Sequence, residues 1–290
     1  MSRSGKSCIG LAVLGALFLI GCQSSSSRYP VEVNGRYGFI GRSGKLAINP
    51  QFDDVGRFSE GLAPAKLGKV WGYVDPKGTL AINPQFDVAD PFSDGIALVG
   101  MGYRYGYIDK TGKIAINPQF DGAGHFSNGL APVRVAGRWG YIDKNGKLAI
   151  NPQFQEAGDF SSGLALVRVG DRFGYIDKSG KLAIQPQFDA GGDFSDGLAL
   201  VAIGGKFGYV DASGKLIITP QFEEAGEFSE GLALAEMGAR FGYIDKKGKF
   251  AINPQFDRAG DFDQGLAPVW IGGRQGYIDK SGKLVWNPTA

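Results

Sequence analysis

From Tyr29 onward, apolar and polar residues alternate in short stretches, and Gly or Pro interrupts each stretch before a helical spacing is established. The stretch from Leu164 is representative. LALVRV is followed by the turn pair Gly170-Asp171, FGYID by the turn Asp177 to Gly180, and then comes KLAI. Branched and aromatic runs separated by such turns predict three antiparallel strands in a meander.

The predicted strands are apolar on both faces. In LALVAI, from Leu198 to Ile203, neither alternating face is polar, so both faces need a covering layer. Pro186 follows KLAI and is expected to end the third strand, because proline cannot donate to a strand ladder. The connecting segment PQFDAGGDFSDG then has to return along the sheet, with room for a short fourth strand.

This pattern repeats with a constant period of 34 residues and no insertion or deletion. Helical repeats of the same length exist, but 47 glycines in 290 residues argue against them and favour an all-β fold. The Gly of the Gly-Tyr motif marks eight copies, at Gly38, Gly72, Gly106, Gly140, Gly174, Gly208, Gly242 and Gly276.

One copy is too small to hold a core, so we expect tandem antiparallel units stacked face to face over residues 29–290. Two arrangements fit: a closed propeller-like ring, which is favoured, and an open β-superhelix. In either case a glycine between two large residues is expected to let neighbouring units approach closely. The glycines of this structural row are Gly72, Gly106, Gly140, Gly174, Gly208, Gly242 and Gly276.

The repeated motifs resemble a known family. Trp71-Gly72-Tyr73 and Trp139-Gly140-Tyr141, each followed by PQF and F-S-x-G-L-A, are similar to the WG repeat, also called the KWG repeat, of bacterial proteins. The resemblance extends from about Tyr29 to Pro288, although Phe or Tyr often replaces the Trp and Gln275 does so in the last copy. It implies an all-β repeat architecture and a binding role rather than a shared enzymatic activity.

The first residues follow different rules. Arg3 and Lys6 precede an apolar run from Ile9 to Ile20 that is too short to span a bilayer, which is typical of an export signal over residues 1–21. The signal ends in Leu19, Ile20, Gly21 and Cys22, which resemble the lipobox of bacterial lipoproteins. That resemblance implies cleavage before Cys22, a diacylglycerol on its sulfur and an acylated amine, with palmitate as the expected acyl group.

The predicted lipid indicates where in the cell the protein is located. Several acyl chains give stable anchoring, so the predicted location is the bacterial cell envelope, with the membrane itself as one partner. Residues 22–28 comprise the lipidated Cys and a polar run that is predicted to form a flexible tether. Gln23 rather than Asp follows the Cys, which in enteric-type lipoproteins is similar to outer-membrane sorting.

Little chemistry is indicated. Loss of Arg3 and Lys6 with the signal would make the 31 basic and 29 acidic residues equal in number, so nucleic acid is not an expected partner. Cys8 would leave with the signal and Cys22 would carry lipid, which removes both thiols. His125 is the only histidine and stands at a variable position, so we interpret it as incidental. No metal and no cofactor is predicted.

Carboxylates recur once per copy after the QF motif, with Gln155 as the exception. Paired acids could hydrolyse a glycoside, and an envelope glycan hydrolase is therefore the alternative function. A catalytic site is one constellation, however, so a solvated or turn-capping role is the preferred interpretation of this acidic row. The acidic row comprises Asp53, Asp87, Asp121, Asp189, Glu223 and Asp257.

Two basic series complete the pattern. Both are interpreted first as solubilising and edge-protecting charges, and second as a local field for charged partners. The basic row, a possible binding row, comprises Arg36, Arg104, Arg138, Arg172, Lys206, Arg240 and Arg274, with Val70 as its break. The lysine row, after the second turn, comprises Lys45, Lys113, Lys147, Lys181, Lys215, Lys249 and Lys283, with Thr79 as its break.

Taken together, these features predict a membrane-tethered, non-enzymatic binding or scaffold protein. Its expected partner is an envelope protein or glycan.

Overall fold

A computed structural model describes residues 28–41, 45–263 and 265–286. These residues form eight small antiparallel sheets arranged in a ring, an eight-bladed β-propeller. The predicted all-β fold and the preferred ring are therefore confirmed, and the open superhelix is wrong. No helix in the described part of the chain is long and apolar enough to cross a membrane.

The sheets, called blades 1 to 8 in chain order, contain three or four strands each. Blade 1 comprises β1 (Tyr29–Val33), β2 (Arg36–Ile40) and β3 (Leu46–Phe52). Blade 2 comprises β4 (Asp54–Val55), β5 (Ala63–Leu67), β6 (Val70–Val74) and β7 (Leu80–Phe86). Blade 3 comprises β8 (Val88–Ala89), β9 (Ile96–Met101), β10 (Arg104–Asp109) and β11 (Ile114–Phe120). Blade 4 comprises β12 (Gly122–Ala123), β13 (Leu130–Val135), β14 (Arg138–Asp143) and β15 (Leu148–Phe154).

The second half of the ring repeats this plan. Blade 5 comprises β16 (Glu156–Ala157), β17 (Leu164–Val169), β18 (Arg172–Asp177) and β19 (Leu182–Phe188). Blade 6 comprises β20 (Ala190–Ser195), β21 (Leu198–Ile203), β22 (Lys206–Val210) and β23 (Leu216–Phe222). Blade 7 comprises β24 (Ala233–Glu236), β25 (Phe241–Ile244) and β26 (Phe250–Phe256). Blade 8 comprises β27 (Arg258–Ala259), β28 (Leu266–Ile271), β29 (Arg274–Asp279) and β30 (Leu284–Trp286).

Within a blade the strands pair in chain order, as the turn residues predict. In blade 1, Asn34 and Gly35 both have positive φ, which is the backbone of the tight hairpin turn that Asn-Gly favours. In blade 5, the turn between β18 and β19 is capped by Asp177, whose Oδ1 accepts hydrogen bonds from the amides of Ser179 and Lys181 at 2.9 and 3.1 Å. Gly180 completes that turn with φ of 83°.

The third strand does not end at its proline. β19 continues through Pro186 to Phe188, and its pairing with β18 shifts register between Phe173 and Tyr175. The resulting bulge removes the demand for a ladder hydrogen bond at the proline, which explains why Pro186 is tolerated inside a strand. The same shift recurs in the blades before and after blade 5.

This bulge also corrects the interpretation of the glycine row. A Cβ on Gly174 would lie 2.6 Å from the carbonyl oxygen of Ile184, on the adjacent strand of its own blade. The prediction that this glycine makes room for the neighbouring unit is therefore wrong, because the close approach is inside one sheet. The same contact within the blade applies to Gly72, Gly106, Gly140, Gly208 and Gly242.

Blades nevertheless pack face to face, as predicted. The core consists of apolar clusters that each combine two successive blades, for example Tyr141 and Ile150 of blade 4 with Val167 and Ile176 of blade 5. Gly180, in a turn of blade 5, lies against Ile150 of blade 4, where an added Cβ would be 3.0 Å away. Burial of such clusters between units is the main stabilising term of a repeat fold.

Candidate functional site

The connectors between blades converge on a cavity of about 450 Å³. These connectors are the segments that join the last strand of one blade to the second strand of the next. The predicted short fourth strand is present in most of them and forms one edge of the sheet. Side chains from successive connectors line the cavity, including Phe92, His125, Asp159, Asp193 and Glu227.

Hydrogen bonds between blades hold the connectors in place. The hydroxyl of Ser93 donates to the carbonyl of Phe126 at 2.7 Å, and Ser127 does the same to Phe160 at 2.5 Å. Equivalent bonds from Ser59, Ser161, Ser195 and Ser229 extend the series around the ring. Buried tyrosines add a second support, since the Tyr141 hydroxyl donates to the carbonyl of Gly158 at 2.8 Å. A rigid frame therefore surrounds the cavity.

One position in each connector breaks the repetition. It lies two residues before the Ser of the FS motif, and five of its seven residues line the cavity. The neighbouring Phe and most neighbouring Ser are constant, whereas this position, called the variable cavity position, differs between copies. Its residues are Arg57, Pro91, His125, Asp159, Asp193, Glu227 and Asp261.

His125 is held between two carboxylates. Its Nδ1 lies 3.2 Å from Asp159 Oδ2 and its Nε2 lies 3.3 Å from Asp90 Oδ2. The hydrogen bond to Asp159 and then the one to Asp90 raise the pKa of His125 to about 10. The imidazole is consequently protonated at neutral pH and neutralises part of the negative charge of the two aspartates.

The next copies place like charges side by side. Burial, and after it the negative charges of Asp159 and Glu227, raise the pKa of Asp193 to about 6. Burial also raises the pKa of Glu227, whose carboxylate accepts a hydrogen bond from the Asp193 amide at 3.1 Å. Burial raises the pKa of Asp261 as well, while the guanidinium of Arg57 opposes that rise. Because Arg57 belongs to blade 2 and Asp261 to blade 8, this interaction acts across the closure of the ring.

These side chains can offer carboxylate oxygens, hydroxyls and aromatic edges to a bound group. A carboxyl group with a pKa near 6 can also exchange a proton near neutral pH. Within residues 28–41, 45–263 and 265–286, no group of His, Cys, Asp or Glu side chains is arranged to hold a metal ion.

The two predicted charge rows pair with each other instead of facing the cavity. Asp189 receives the Arg172 guanidinium and the Gly204 amide, the latter at 2.6 Å. Lys206 and Glu223 form the loosest pair, at 3.7 Å. The other pairs are Arg36–Asp53, Arg104–Asp121 and Arg240–Asp257. The acidic row thus caps hairpin turns and neutralises the basic row, in agreement with its preferred interpretation.

Exceptions in the two rows occur in the same blades. Val70 stands opposite Asp87, and Gln155 stands opposite Arg138, seventeen residues apart in each case. Asp87 still accepts the Gly102 amide at 2.7 Å. In the described part of the chain, Arg138 forms no ion pair.

Strand direction places the basic row and the lysine row on opposite faces of the ring. Each second strand of a hairpin starts beside its basic-row residue and ends at the turn that precedes its lysine-row residue. The lipobox residues Leu19, Ile20 and Gly21, the lipid attachment residue Cys22 and the tail residue Pro288 lie outside the described residues.

Sequence reasoning missed the cavity residues because the variability of this position between copies was taken as a sign that His125 has no role. His125 was interpreted as incidental, yet it lies in a cavity between two carboxylates. The same comparison shows a residue that can carry charge at six of seven places, in contrast to the constant residues around it. That contrast is the signal that was available.

Comparisons with known proteins agree with this architecture. A family model described as "WG containing repeat" matches residues 37–71, 71–105, 105–139, 139–172, 173–207, 207–240 and 241–274. The comparison with curated proteins found no match.

Solved structures with a similar fold share little sequence. A crystal structure of a eukaryotic initiation factor has a TM-score of 0.60 at 10% identity and covers 91% of this chain and 85% of that one. The dihydro-heme d1 dehydrogenase NirN has a TM-score of 0.58 at 15% identity, with 90% and 72% covered. Hsv2p of Kluyveromyces lactis has a TM-score of 0.51 at 9% identity, with 76% and 89% covered. At such identities the likeness shows the fold alone.

Proposed function

Because the chain belongs to the WG repeat family, we propose that it is a non-enzymatic binding or scaffold protein, tethered by lipid to the bacterial cell envelope. Its expected partner is an envelope protein or glycan. The observation that carries the proposal is the contrast between a repeated frame and a variable cavity position. Cavities lined by convergent polar groups on a rigid scaffold are the default binding sites of such folds.

The contrast has a physical meaning. Residues such as Ser127 and Tyr141 recur because they have a structural role: the hydroxyl of each donates a hydrogen bond to a backbone carbonyl next to the cavity. The side chain at the variable cavity position is not needed for that frame, so its chemistry is free to suit a partner. Four side chains at this position that line the cavity can carry charge, and their variation gives each region of the wall its own charge.

The tether is the second part of the proposal. Leu19 to Cys22 supply the lipobox pattern, and several acyl chains would hold the protein at a membrane. Cys22→Ser should leave the precursor without lipid and release the domain from the membrane fraction. Uptake of labelled fatty acid and unchanged membrane fractionation by the variant would contradict the anchor.

The alternative, a glycan hydrolase that uses the repeat carboxylates, has weaker support. Asp189 and its equivalents in the acidic row accept hairpin-turn amides and arginines. One observation favours catalysis in the cavity. Asp193 has a raised pKa beside Glu227, and carboxyl groups with perturbed pKa values are common in catalytic sites.

A pull-down with matched variants tests the binding proposal. Mature protein is used to capture partners from envelope extracts, and the same extract is offered to Asp193→Asn and Asp171→Asn. Both substitutions remove one carboxylate, but Asp193 lines the cavity whereas the Asp171 side chain is fully exposed in a hairpin turn. A partner lost only with Asp193→Asn supports the cavity as the binding site.

The same protein preparations also test the alternative. They are incubated with peptidoglycan and polysaccharides, and release of soluble sugar is measured. Robust turnover that disappears in Asp193→Asn and persists in Asp171→Asn would contradict a non-enzymatic role.

A further inference from the structure

Carboxylates of the acidic row join the hairpin turns of neighbouring blades. Between blades 5 and 6, one oxygen of Asp189 receives the guanidinium of Arg172 in blade 5. Its other oxygen accepts the amide of Gly204, the first turn residue of blade 6, at 2.6 Å. One carboxylate thus bridges a basic-row residue of one blade and a turn amide of the next. The same bridge is complete at three further junctions, with Asp53, Asp121 and Asp257 as the carboxylates.

The junction of blades 4 and 5 has both donors of this bridge but no carboxylate of its own. The acidic-row position there is Gln155, the basic-row residue is Arg138 of blade 4, and the first turn residue of blade 5 is Gly170. In the part of the chain that the structure describes, no carboxylate pairs with the Arg138 guanidinium and none accepts the Gly170 amide. Both residues are exposed, so their donors are accessible from outside.

The other irregular junctions differ because each keeps its carboxylate. Between blades 2 and 3, Val70 replaces the basic residue, and Asp87 still accepts the turn amide of Gly102 at 2.7 Å. Between blades 6 and 7, Glu223 lies 3.7 Å from Lys206. Seven junctions join consecutive blades in the described residues, and among them only that of blades 4 and 5 presents an arginine and a turn amide without an acidic-row carboxylate.

The surroundings of Arg138 contain both charge and apolar surface. Val135 pairs with Arg138 across the hairpin, so the two side chains lie on the same face of the sheet, and Val135 is 39% exposed. The acidic groups nearby are Glu156, which pairs with the Arg168 guanidinium at 2.8 Å, and Asp171, which lies 4.0 Å from the same guanidinium. Arg168 therefore offsets these two acids, and the Arg138 guanidinium keeps its own charge for a ligand.

These groups suit a carboxylate that is part of a larger molecule. An exposed ion pair in water binds a single small anion only weakly. At protein interfaces, an arginine gains binding energy when apolar contacts around it exclude water. A carboxylate on a protein segment can pair with Arg138 while the residues next to it cover Val135, whereas a free small anion cannot.

We propose that Arg138 and the Gly170 amide bind an aspartate or glutamate side chain of a partner protein at the junction of blades 4 and 5. The partner's carboxylate takes the place that Asp189 has at the next junction. Arg138, Gln155 and Gly170 are not among the residues that line the cavity, so this site is additional to the cavity and does not depend on it.

Peptides with and without a carboxylate test this site by NMR. The probes are acetyl-Leu-Asp-Leu-amide (the Asp peptide) and acetyl-Leu-Asn-Leu-amide (the Asn peptide), and inorganic phosphate is the third probe. Each is titrated into 15N-labelled protein at low salt, and the amide signals of Gly170 and Gly204 are followed. Gly204 is an internal control, because Asp189 already accepts its amide.

We expect the Asp peptide to shift the Gly170 signal in a saturable way without moving the Gly204 signal. The Asn peptide should bind about tenfold more weakly, because it cannot form charge-assisted hydrogen bonds with Arg138. Binding of the Asp peptide should weaken in high salt.

Four variants of exposed residues sharpen the test. Gln155→Asp supplies the carboxylate from within the chain, so it should shift the Gly170 signal without any peptide and abolish the response to the Asp peptide. Arg138→Gln should also abolish that response. The matched control Arg172→Gln should preserve it, because the Arg172 guanidinium is already paired with Asp189. Asp189→Gln should create a second site and make the Gly204 signal respond.

Several results would overturn the proposal. They are no saturable shift of the Gly170 signal with the Asp peptide, equal binding of the Asp and Asn peptides, and a response that survives Gln155→Asp or Arg138→Gln. Tighter binding of phosphate than of the Asp peptide would overturn the assignment to an acidic side chain. A Gly204 signal that stays unresponsive in Asp189→Gln would show that the two donors do not suffice to bind a carboxylate.

Discussion

The interfaces inside the ring and the seam between blades 8 and 1 are made from the same repeat but are not equally buried. Tyr243 of blade 7 is fully buried against blade 8, whereas its equivalent Tyr277, which faces blade 1, is 36% exposed. In the described residues, blade 1 has the three strands β1, β2 and β3. The seam therefore buries this tyrosine less completely than an interface inside the ring does.

The arrangement of charges, unlike apolar burial, is more favourable at the seam than inside the ring. Inside the ring, Asp193 stands between Asp159 and Glu227, so like charges are adjacent. Across the seam, Asp261 feels the positive charge of Arg57. The seam has less apolar burial but a more favourable charge arrangement, and the ring closes through a combination of the two.

Truncating one tyrosine in each region should give the largest contrast. Tyr175 is fully buried, packs against Phe194 and donates to the Gly192 carbonyl at 2.9 Å. Tyr175→Ala should lower the free energy of unfolding by about 3–5 kcal/mol, as deletion of a buried aromatic side chain usually does. Tyr277→Ala at the seam should cost about 1 kcal/mol, because much of that ring is already in contact with water. Chemical denaturation measures both, and equal losses would show that the seam is as well packed as the interior.

The second variant separates packing inside one blade from packing between blades. Gly174→Val would force a side chain against the backbone of Ile184 and Pro186, which cannot move without breaking the bulge. We expect a loss of about 3 kcal/mol even though valine favours strands.

The control for this variant is Lys181→Ala, an exposed position that should change stability by no more than about 0.5 kcal/mol. Lys178 is not a suitable control, because its Nζ donates to the Asn128 carbonyl of blade 4. A neutral Gly174→Val would mean that the bulge is not rigid.

These variants also show how far the sequence alone reaches. The constant period, the Asn34-Gly35 turn and the doubly apolar strands were enough to predict eight stacked β units and to favour a ring. The bulge at Pro186 was not predictable, because it depends on the pairing register and not on the residues of one strand. Gly174 was assigned to the wrong neighbour for the same reason. The position of a glycine in the repeat does not show whether its own sheet or the neighbouring blade lies against it.

The cavity was harder to predict than the fold. Its residues share no motif, since Pro91, His125 and Asp193 occupy the same place in different copies. Their proximity follows from ring closure, and their pKa values follow from partners 34 residues away or in another blade. Packing repeats in every copy and is visible in the sequence, whereas a site that uses each copy differently shows there only as a variable position between constant ones.

The third prediction concerns charge inside the ring. The pKa of Asp193 is raised to about 6, so the folded protein binds this proton more tightly than the unfolded chain does. Stability attributable to Asp193 therefore falls as pH rises from about 4 to about 6 and stays reduced above that range. Asp193→Asn should raise the free energy of unfolding at pH 7.5 by about 1–2 kcal/mol, allowing for solvent screening, and should have no such effect at pH 4.

The matched seam variant is Asp261→Asn. Its stabilising effect at pH 7.5 should be smaller, because Arg57 already offsets part of the cost of charging Asp261. Urea denaturation at the two pH values measures both variants. A larger gain from Asp261→Asn than from Asp193→Asn would contradict the proposed difference between the interior and the seam.

The smallest expected effect is the one that tests closure of the ring most directly. Arg57 lies in blade 2 and Asp261 in blade 8, so their interaction requires the two ends of the repeat array to meet. Arg57→Ala should raise the pKa of Asp261 further, because it removes the charge that opposes the effect of burial, whereas Arg57→Lys should restore most of the wild-type value. The change in stability should be no more than about 0.5 kcal/mol, as for other exposed charge pairs. A pH titration of the Asp261 carboxyl by NMR measures the shift, which should diminish in high salt. In an open stack of blades the two residues would be at opposite ends, and the pKa of Asp261 would be the same with arginine, lysine or alanine at position 57.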